Sequence, residues 1–490
     1  MRAERFSGLL AGAALLTSCG GGDGGSGSGV PIATAPTLTP TPSATPTPTP
    51  TSVAAGCSLR ERQDWAFAQL NEWYLFPETL PASLSPAGYS TVDDYVDALT
   101  ATARAQRKDR YFTYLTSIAE ENAYYNAGAS GGFGIRLGYD TNSRRVGIIE
   151  SFEGAPALNA GLDRGTEILA IGTSASNLRT TSDIIATAGP DGVSDALGPD
   201  TAGITRVLRV SDAAGTRNVT LTKADFNLTP VSSRYGAKII TDNGMQVGYV
   251  NLRTFINTAD SGLRGAFQQF RDAGITNVIV DLRYNGGGAL SIAELFTDLL
   301  GGARSTSDVQ SFITFRPSKS SQNETTYFTP QPQSIAPTKI AFIGTGGTAS
   351  ASEYVINAMI PYLRANVALI GSNTYGKPVG QIALDRSQCD DRLRVIALAL
   401  QNASRQGDYY DGLATKVEAS CQADDDSTYQ LGDPRESSTR AALNFLQGRG
   451  CTRIGVTASA TRAVTPFAQT RELLSPARPS AAQRETPGLF

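Results

Sequence analysis

Hydrophobic and polar positions follow a helical pattern over the first folded part of the chain. Apolar residues recur at spacings of three and four between Leu59 and Ala127, which predicts amphipathic helices. The segment from Ser90 to Asp94 has the polar residues typical of a helix start. We therefore expect a small helical domain over residues 57–127. Its predicted apolar faces contain Trp65, Ala66, Leu70 and Trp73, and then Val92, Tyr95, Val96 and Leu99.

The pattern changes near residue 128 to short β-type runs separated by glycine-containing turns. Such runs cover residues 131–137, 145–149 and 166–171. Their length and the turn residues between them favour strands over helices. A β domain is predicted over residues 128–225.

A third pattern begins near residue 226 and alternates buried strands with helices. Strands are predicted at 247–252, 277–283, 339–343 and 367–370, and helices at 263–273, 290–300 and 350–359. Alternation of this kind is typical of an α/β domain with crossover helices. The sequence thus predicts a multidomain α/β protein whose largest domain covers residues 226–455.

The two ends of the chain lack such periodicity. Arg2 and Arg5 precede an apolar stretch at 6–16, which is shorter than the roughly 20 residues of a membrane span and typical of a secretory signal. The sequence Leu16-Thr-Ser-Cys19 resembles the lipobox of bacterial lipoproteins, which implies a signal peptide at 1–19 and lipidation of Cys19. The alternative is an ordinary signal peptide with an incidental cysteine.

Low-complexity composition marks two further segments. Residues 20–56 are rich in Gly and Ser and then in Pro and Thr, which predicts a linker. Residues 456–490 are rich in Ala, Thr, Arg and Pro with little apolar periodicity, so we expect a disordered tail that could occupy the protein's own groove.

Composition narrows the possible chemistry. The 490 residues include no histidine, which excludes a Ser-His-Asp triad and removes the commonest metal ligand, so we expect neither a metal nor a cofactor. A net charge of -3 gives no reason to expect a nucleic-acid partner. A hydrolase built on this chain must take its general base from another residue type.

Two short motifs supply a nucleophile and a base without histidine. Ser350 lies in Thr348-Ala-Ser-Ala-Ser-Glu353, at a predicted helix start, and Lys377 lies in Tyr375-Gly-Lys-Pro378. A lysine can deprotonate a serine once burial lowers its pKa from about 10.4. Each motif also has a structural reading, because Ser-x-x-Glu is a capping box and a lone loop lysine is usually solvated.

The cysteines give a disulfide prediction. Once Cys19 is lipidated, Cys57, Cys389, Cys421 and Cys451 remain in an exported chain, and two disulfides are expected. Three pairings are possible. We favour Cys389 with Cys421 and Cys57 with Cys451, and buried free thiols are the alternative.

The β region resembles a PDZ domain. The resemblance rests on Gly131-Gly-Phe-Gly-Ile-Arg-Leu137, on Gly154-Ala-Pro-Ala, and on Ala160-Gly-Leu-Asp-Arg-Gly, and covers about ninety residues. In PDZ domains the loop that opens the first core strand binds a peptide's terminal carboxylate, and the peptide adds a strand to the sheet. The matching peptide-binding residues are Phe133, Gly134 and Ile135. A β domain that binds no peptide is the alternative.

The three ordered motifs together resemble the C-terminal processing (tail-specific) serine proteases. They are Asp281-Leu-Arg-Tyr-Asn-Gly-Gly-Gly288, the Ser350 motif and Gly376-Lys-Pro-Val-Gly-Gln381, and the resemblance covers roughly residues 57–455. It implies a crotonase/ClpP-like α/β protease core with Ser350 as nucleophile, Lys377 as general base and Gln381 supporting the lysine. It further implies oxyanion donors at the N–H groups of Ala351 and Gly287. Pro378 replaces the usual glycine, and the interval from serine to lysine is about two residues longer than in typical members.

These observations predict an exported serine endopeptidase, lipid-anchored in a bacterial cell envelope and facing the periplasm. Its partners would be protein or peptide substrates with free C-termini, and the membrane through the anchor. Two alternatives are a catalytically inactive peptide-binding lipoprotein and an acyl-transfer enzyme of crotonase-like architecture, the latter disfavoured because no coenzyme A site is evident. The acidic run Asp424–Asp426 is interpreted as a solvated turn in preference to a calcium loop.

Overall fold

The computed structural model describes residues 55–455 and 471–490. Its first region has four helices and one strand: α1 (Leu59–Trp73), α2 (Val92–Leu99), α3 (Ala101–Ala105), β1 (Tyr114–Ser117) and α4 (Ile118–Ala127). Ser58 and Glu61 form a capping box that starts α1, and the Thr91 hydroxyl accepts from the Asp94 N–H at the start of α2. The signal peptide, the lipidation site Cys19 and most of the predicted linker lie outside the described residues.

The helical region shares its core with later strands. Its buried apolar residues, such as Leu70 and Val96, belong to one cluster with Val379, Leu393 and Ile396. The helices therefore pack directly on the α/β part of the chain, beside the segment that contains Lys377.

The β domain has an antiparallel sheet with short helices. Its elements are β2 (Ala129–Gly132), β3 (Ile135–Asp140), β4 (Arg145–Ser151), α5 (Pro156–Asn159), β5 (Glu167–Gly172), β6 (Arg179–Thr180), α6 (Thr181–Ala188), α7 (Asp191–Leu197), β7 (Thr205–Asp212), β8 (Gly215–Thr222) and β9 (Ala224–Asn227). Strands β3, β4, β5, β7 and β8 follow one another in the sheet, and β2 pairs with β9 where the chain enters and leaves the domain.

The third region contains two sheets. Its elements are β10 (Ala237–Asp242), β11 (Met245–Asn251), α8 (Ala259–Asp272), β12 (Asn277–Asp281), α9 (Leu290–Leu300), β13 (Val309–Phe315), β14 (Glu324–Tyr327), β15 (Lys339–Gly344), α10 (Ala351–Leu363), β16 (Val367–Gly371), β17 (Val379–Arg386), β18 (Asp391–Gln401), β19 (Ala419–Gln422) and α11 (Ser437–Leu446). One sheet has the order β10-β11-β12-β15-β16-β19, and every pair in it except β10-β11 is parallel. The second sheet contains β1, β13, β14, β17 and β18.

Residues 471–490 are ordered against the rest of the protein, which differs from the predicted disordered tail. Strand β20 (Glu472–Leu473) pairs with β3, and helix α12 (Ala481–Glu485) leads to a buried end. Leu474, Leu489 and Phe490 are at most 2% exposed. These anchors lie too far apart to form a periodic pattern, so periodicity alone could not detect them.

The favoured disulfide pairing is wrong. The structure pairs Cys57 with Cys389 and Cys421 with Cys451, with Cα–Cα distances of 5.5 and 5.4 Å. Cys389 lies at the β17–β18 turn, whereas Cys421 lies on β19 of the other sheet, so the two are not neighbours. Cys451 reaches Cys421 because the chain after α11 returns along β19, where the Gln422 N–H donates to the Thr452 carbonyl at 2.8 Å.

Within the ranges 55–455 and 471–490, no helix has both the length and the apolar composition of a membrane span. The same residues contain no cluster of three or more side chains arranged to hold a metal ion.

Candidate active site

Three loops meet at the carboxyl edge of the parallel sheet. They follow β12, β15 and β16, and they contain the Asn285 turn, Ser350 and Lys377 respectively. Loops after parallel strands converge at this edge, which is where α/β folds place their sites. The fold therefore brings together the three motifs that the sequence singled out.

Ser350 lies at the N-cap of α10 in a left-handed backbone conformation, with φ +56° and ψ -116°. A non-glycine residue adopts this region at an energetic cost, and such positions concentrate at functional sites. Ala351 begins the helix, so its N–H has no acceptor within the helix and points from the helix N-terminus. Ser350 is half-buried at this helix start.

Glu353 connects the serine loop to the lysine loop. Its carboxylate accepts from the Ser350 N–H at 3.1 Å, from the Gly376 N–H at 2.7 Å and from the Lys377 N–H at 2.7 Å. The side chain is fully buried, and this burial raises the pKa of its carboxyl although the N–H groups oppose the shift. Sequence reasoning missed this role because Ser-x-x-Glu was explained as a helix cap.

Lys377 is a buried lysine whose amine faces the site. Only 9% of the residue is exposed, its Nζ donates to Gln381 Oε1 at 2.9 Å, and it lies 4.9 Å from the centre of the Phe112 ring. Burial lowers the pKa of Lys377, against the opposing charges of Glu485 and Asp109. A neutral amine is thereby favoured, as a general base requires.

Gln381 lies beside the lysine and accepts a hydrogen bond from its amine. A β-bulge between Gly380 and Gln381 shifts the register of β17, and Gln381 Nε2 donates to the Phe112 carbonyl while Oε1 accepts from Lys377. Among the described residues, however, no hydrogen bond joins Ser350 to Lys377. A proton can pass directly between the two groups only when they come within hydrogen-bond distance.

The Gly286 and Gly287 N–H groups of the glycine turn already have acceptors in the structure. The Gly287 N–H, the predicted oxyanion donor, donates to Asn285 Oδ1 at 3.0 Å, whereas the Gly286 N–H donates to the Glu485 carbonyl at 3.0 Å. Gly287 has φ +125°, and a Cβ there would lie 2.8 Å from Ser350 Cβ. Gly287 thus lets the turn approach the serine, and Gly286 is the donor that already contacts a peptide carbonyl.

The predicted peptide-binding residues lie at the start of β3. Phe133 is buried in the core of the β domain, Gly134 takes φ +71° in the turn, and the Ile135 N–H donates to the Phe490 carbonyl oxygen at 3.1 Å. A Cβ at Gly134 would collide with Ala155, so only glycine fits this turn. The structure brings this loop to residues 484–490, and the same tail segment reaches the glycine turn.

A cavity of about 860 Å³ lies between these parts. Its lining includes Lys377, Gly286, Ala349 and Tyr284, and most of the residues from Arg471 to Glu485 form one wall. A volume of this size is ordinary for an enzyme cleft. The tail therefore narrows the space in which a substrate would approach Ser350.

A buried ion network joins the β domain to the loops that follow β12 and β19. Arg164 donates to Asp425 at 2.8 Å and to the Tyr284 hydroxyl at 3.0 Å, and Arg283 pairs with Glu436 at 2.9 Å. Burial raises the pKa of Asp425, but the charges of the neighbouring arginines outweigh this effect and hold that pKa below its ordinary value. The interpretation of 424–426 as a solvated turn is therefore wrong for Asp425, whose partners are distant in sequence.

Comparison with known proteins agrees with this geometry. Residues 246–405 match the family model of Peptidase family S41. This S41 region contains the Asn285 turn, Ser350, Glu353 and Lys377. Carboxyl-terminal-processing peptidase 2 of Arabidopsis thaliana is 29% identical over 268 residues, and the C-terminal processing peptidase of Tetradesmus obliquus is 28% identical over 272 residues.

The coverage of these similarities differs between sequence and structure. The alignments cover 51% and 53% of this chain and 46% and 54% of the two relatives, so the chain spans about half the length of the curated relatives it matches. A crystal structure of an S41 protease candidate from Bacteroides fragilis is similar at a TM-score of 0.60, with 22% identity, and covers 78% of this chain and 97% of that one. The mixed α/β fold similar to S41 proteases therefore extends beyond the S41 region.

Glu353→Gln is expected to reduce turnover about 10- to 100-fold and to lower the free energy of unfolding by about 1 to 3 kcal/mol. In the wild type, both carboxylate oxygens accept hydrogen bonds from backbone N–H groups. The glutamine amide keeps one of these acceptor oxygens and replaces the other with an NH₂ group, which cannot accept. Steady-state kinetics and urea unfolding measure the two effects. Glu418→Gln is the control, because Glu418 pairs with Arg364 on the surface. A Glu353→Gln protein with wild-type kinetics would contradict the positioning role.

Proposed function

We propose that the protein is a serine endopeptidase that uses Ser350 as nucleophile and Lys377 as general base. The observation that carries the proposal is the buried Lys377 amine, whose pKa is lowered, on a loop fixed by Glu353 to the loop of Ser350. The S41 region and its similarity to C-terminal processing peptidases support this reaction class. The same edge of the sheet supplies a nucleophile, a base and backbone donors.

The reaction follows from these groups. The neutral Lys377 amine takes the Ser350 proton as the Ser350 oxygen attacks the substrate carbonyl carbon. In this proposal the N–H groups of Gly286 and Ala351 stabilise the resulting oxyanion, and one such donor is typically worth about 3 kcal/mol. The Lys377 ammonium then protonates the leaving amine as the peptide C–N bond breaks. Water, deprotonated by the same lysine, hydrolyses the acyl-enzyme and regenerates Ser350.

We further propose that the β domain is a PDZ-like domain that engages the C-terminal ends of substrates. The position of the Phe133–Ile135 loop at the start of β3 and the backbone hydrogen bonds between Ile135 and Phe490 support it. Residues 128–225 would then hold a substrate end while the chain upstream of that end enters the cavity. The partner class is protein or peptide with a free C-terminus.

Incubation of the protein with an unfolded, C-terminally tagged protein tests the reaction and its polarity. We expect cleavage within the tagged chain, seen as fragments by mass spectrometry, and slower cleavage when the C-terminus is amidated. A C-terminal amide that is processed as fast as the free acid would contradict engagement through the end of the chain.

A catalytically inactive peptide-binding lipoprotein is the second candidate. It is favoured by one observation, since no hydrogen bond joins Ser350 to Lys377 among the described residues. An inactive protein would bind the tagged substrate and leave its mass unchanged.

The anchor gives a separate prediction for Cys19→Ala. We propose a lipoprotein exported to the bacterial envelope and facing the periplasm, on the basis of the lipobox-like Leu16–Cys19 sequence. The variant should leave the membrane fraction and keep its peptidase activity, because thioether lipidation needs the cysteine. Fractionation of cell membranes followed by immunoblotting measures this, with Cys451→Ala as a cysteine control outside the lipobox. Membrane retention of Cys19→Ala would contradict the anchor.

A further inference from the structure

The end of the described chain adds a strand to the β domain. The Phe490 N–H donates to the Ile135 carbonyl at 2.9 Å, and the Ile135 N–H donates back to Phe490 at 3.1 Å. Two residues further along, the Leu137 N–H donates to the Gly488 carbonyl at 2.8 Å. Alternating bonds of this kind are the way an extended peptide is bound at a sheet edge.

Two apolar side chains anchor this segment in different clusters. Phe490 is 2% exposed and belongs to the core of the β domain with Phe133. Leu489 is 1% exposed and packs in a cluster with Phe152 and Ile256, where the β domain meets the α/β region. Because adjacent residues of a strand point to opposite sides, the two anchors use both sides of the added strand.

Gly488 is required by its conformation and by its surroundings. Its φ is +88°, and a Cβ there would lie 2.8 Å from Arg136 Cγ and 3.0 Å from the Leu137 carbonyl oxygen. A β-branched residue at this position would have both an unfavourable backbone conformation and steric clashes with Arg136 and Leu137. The groove therefore has room for a glycine, then a large apolar residue, then phenylalanine.

The same segment covers the catalytic turn. Glu485 accepts from the Gly286 N–H at 3.0 Å, and its carboxylate accepts from the Tyr125 hydroxyl at 3.1 Å. Thr486 shares a 2.9 Å hydrogen bond with Tyr124. A substrate carbonyl that needs the Gly286 N–H must first displace Glu485.

We propose that residues 484–490 are a resident ligand of both the peptide groove and the approach to Ser350, for which substrates with a Gly-apolar-Phe end compete. This inference rests on the proposed peptide groove and adds its preferred sequence and its first occupant. Release of the segment frees the Gly286 N–H and removes one wall of the cavity that contains Lys377. Displacement thus opens the cleft to a substrate.

Covalent attachment sets the strength of this competition. A tethered ligand acts at an effective concentration on the order of 1 mM. If the free segment binds with a Kd near 0.1 mM, the attached copy weakens binding of an added copy about tenfold. A variant whose tail is displaced should therefore bind the added copy about tenfold more tightly than the wild type does.

Gly488→Val in the full chain tests the proposal with fluorescein-labelled Thr-Pro-Gly-Leu-Phe as the probe. By fluorescence anisotropy we expect this peptide to bind the variant about tenfold more tightly than it binds the wild type. Gly448→Val is the matched control, because Gly448 has φ +75° in open space, away from the groove, and imposes the same backbone penalty. Equal affinity for wild type and Gly488→Val, with both proteins folded by circular dichroism, would overturn the resident ligand.

Phe490→Ala is a second variant that displaces the tail, because it removes the larger apolar anchor. It should also bind the labelled peptide more tightly than the wild type does, and this result can be obtained even if Gly488→Val fails to fold. A peptide with Val in place of its Gly should bind Phe490→Ala at least about tenfold more weakly than the glycine peptide, and equal binding would overturn the sequence preference. The binding assay does not depend on cleavage. A protein that binds the peptides as expected but never cleaves a substrate would refute the proposed protease activity and leave the resident-ligand proposal standing.

Discussion

Ser350→Ala should abolish peptide-bond cleavage while the protein stays folded. Removing the nucleophile of a serine hydrolase typically costs at least about ten thousandfold in turnover. Ser350 φ is +56°, which alanine tolerates no worse than serine does, so the backbone at the start of α10 should persist. We expect a change in unfolding free energy of about 1 kcal/mol or less. Fragment formation by mass spectrometry and urea unfolding measure both quantities.

Ser352→Ala is the matched control for this change. Ser352 lies in the same motif, and its hydroxyl donates to the Asn285 carbonyl at 3.0 Å. Its loss removes one buried hydrogen bond, which reduces stability by about 1 kcal/mol and leaves the nucleophile in place. Near-wild-type cleavage by Ser350→Ala, or equal inactivity of both variants with both folded, would refute the assignment of the nucleophile.

Lys377→Arg should be as inactive as Lys377→Ala. Arginine keeps the positive charge and the reach, but it does not lose its proton at accessible pH, so it cannot accept the Ser350 proton. A lysine with a purely electrostatic or structural role would tolerate the exchange. Single-turnover acylation with an active-site probe measures the loss, with Lys416→Arg as control because Lys416 pairs with Asp408 at the surface. Substantial cleavage by Lys377→Arg would refute Lys377 as the general base.

The pH dependence has a definite sign. Burial lowers the pKa of Lys377, so the amine is protonated and inactive below that pKa and neutral above it. The acylation rate of the wild type should therefore rise with pH through one ionisation that lies below the ordinary lysine value of about 10.4. With no histidine in the sequence, imidazole cannot supply this ionisation. A rate that falls as pH rises through this range would contradict a neutral-amine base.

Local patterns predicted the parts of the site that depend on neighbouring residues. The strand predicted at 277–283 and the helix predicted at 350–359 follow from hydrophobic runs and from the motifs that flank them, and the structure has them at Asn277–Asp281 and Ala351–Leu363. Parallel strands then bring their carboxyl-end loops together whatever the details of packing. This is why two residues 27 positions apart could be paired as nucleophile and base.

Features that depend on distant segments could not be predicted. The sequence around Glu353 indicates only a helix cap. Its hydrogen bonds to the Gly376 and Lys377 N–H groups depend on the fold that brings that distant loop beside it. The sequence does not distinguish the two adjacent glycines, and which N–H bonds to Asn285 and which to the tail depends on the fold of the turn. The cysteine pairing likewise depends on which strand borders β16, since β19 carries Cys421 to that edge.

The disulfide between Cys57 and Cys389 determines how the protein bears mechanical load. It joins positions 332 residues apart, at the entry to α1 and at the turn before β18. Tension on the chain before Cys57 passes through this covalent link to the β17–β18 turn and bypasses α1. Strand β18 is hydrogen-bonded to β1, β13 and β17, so several strands share the force. A pull on the chain before Cys57 would therefore load these strands and leave α1 folded.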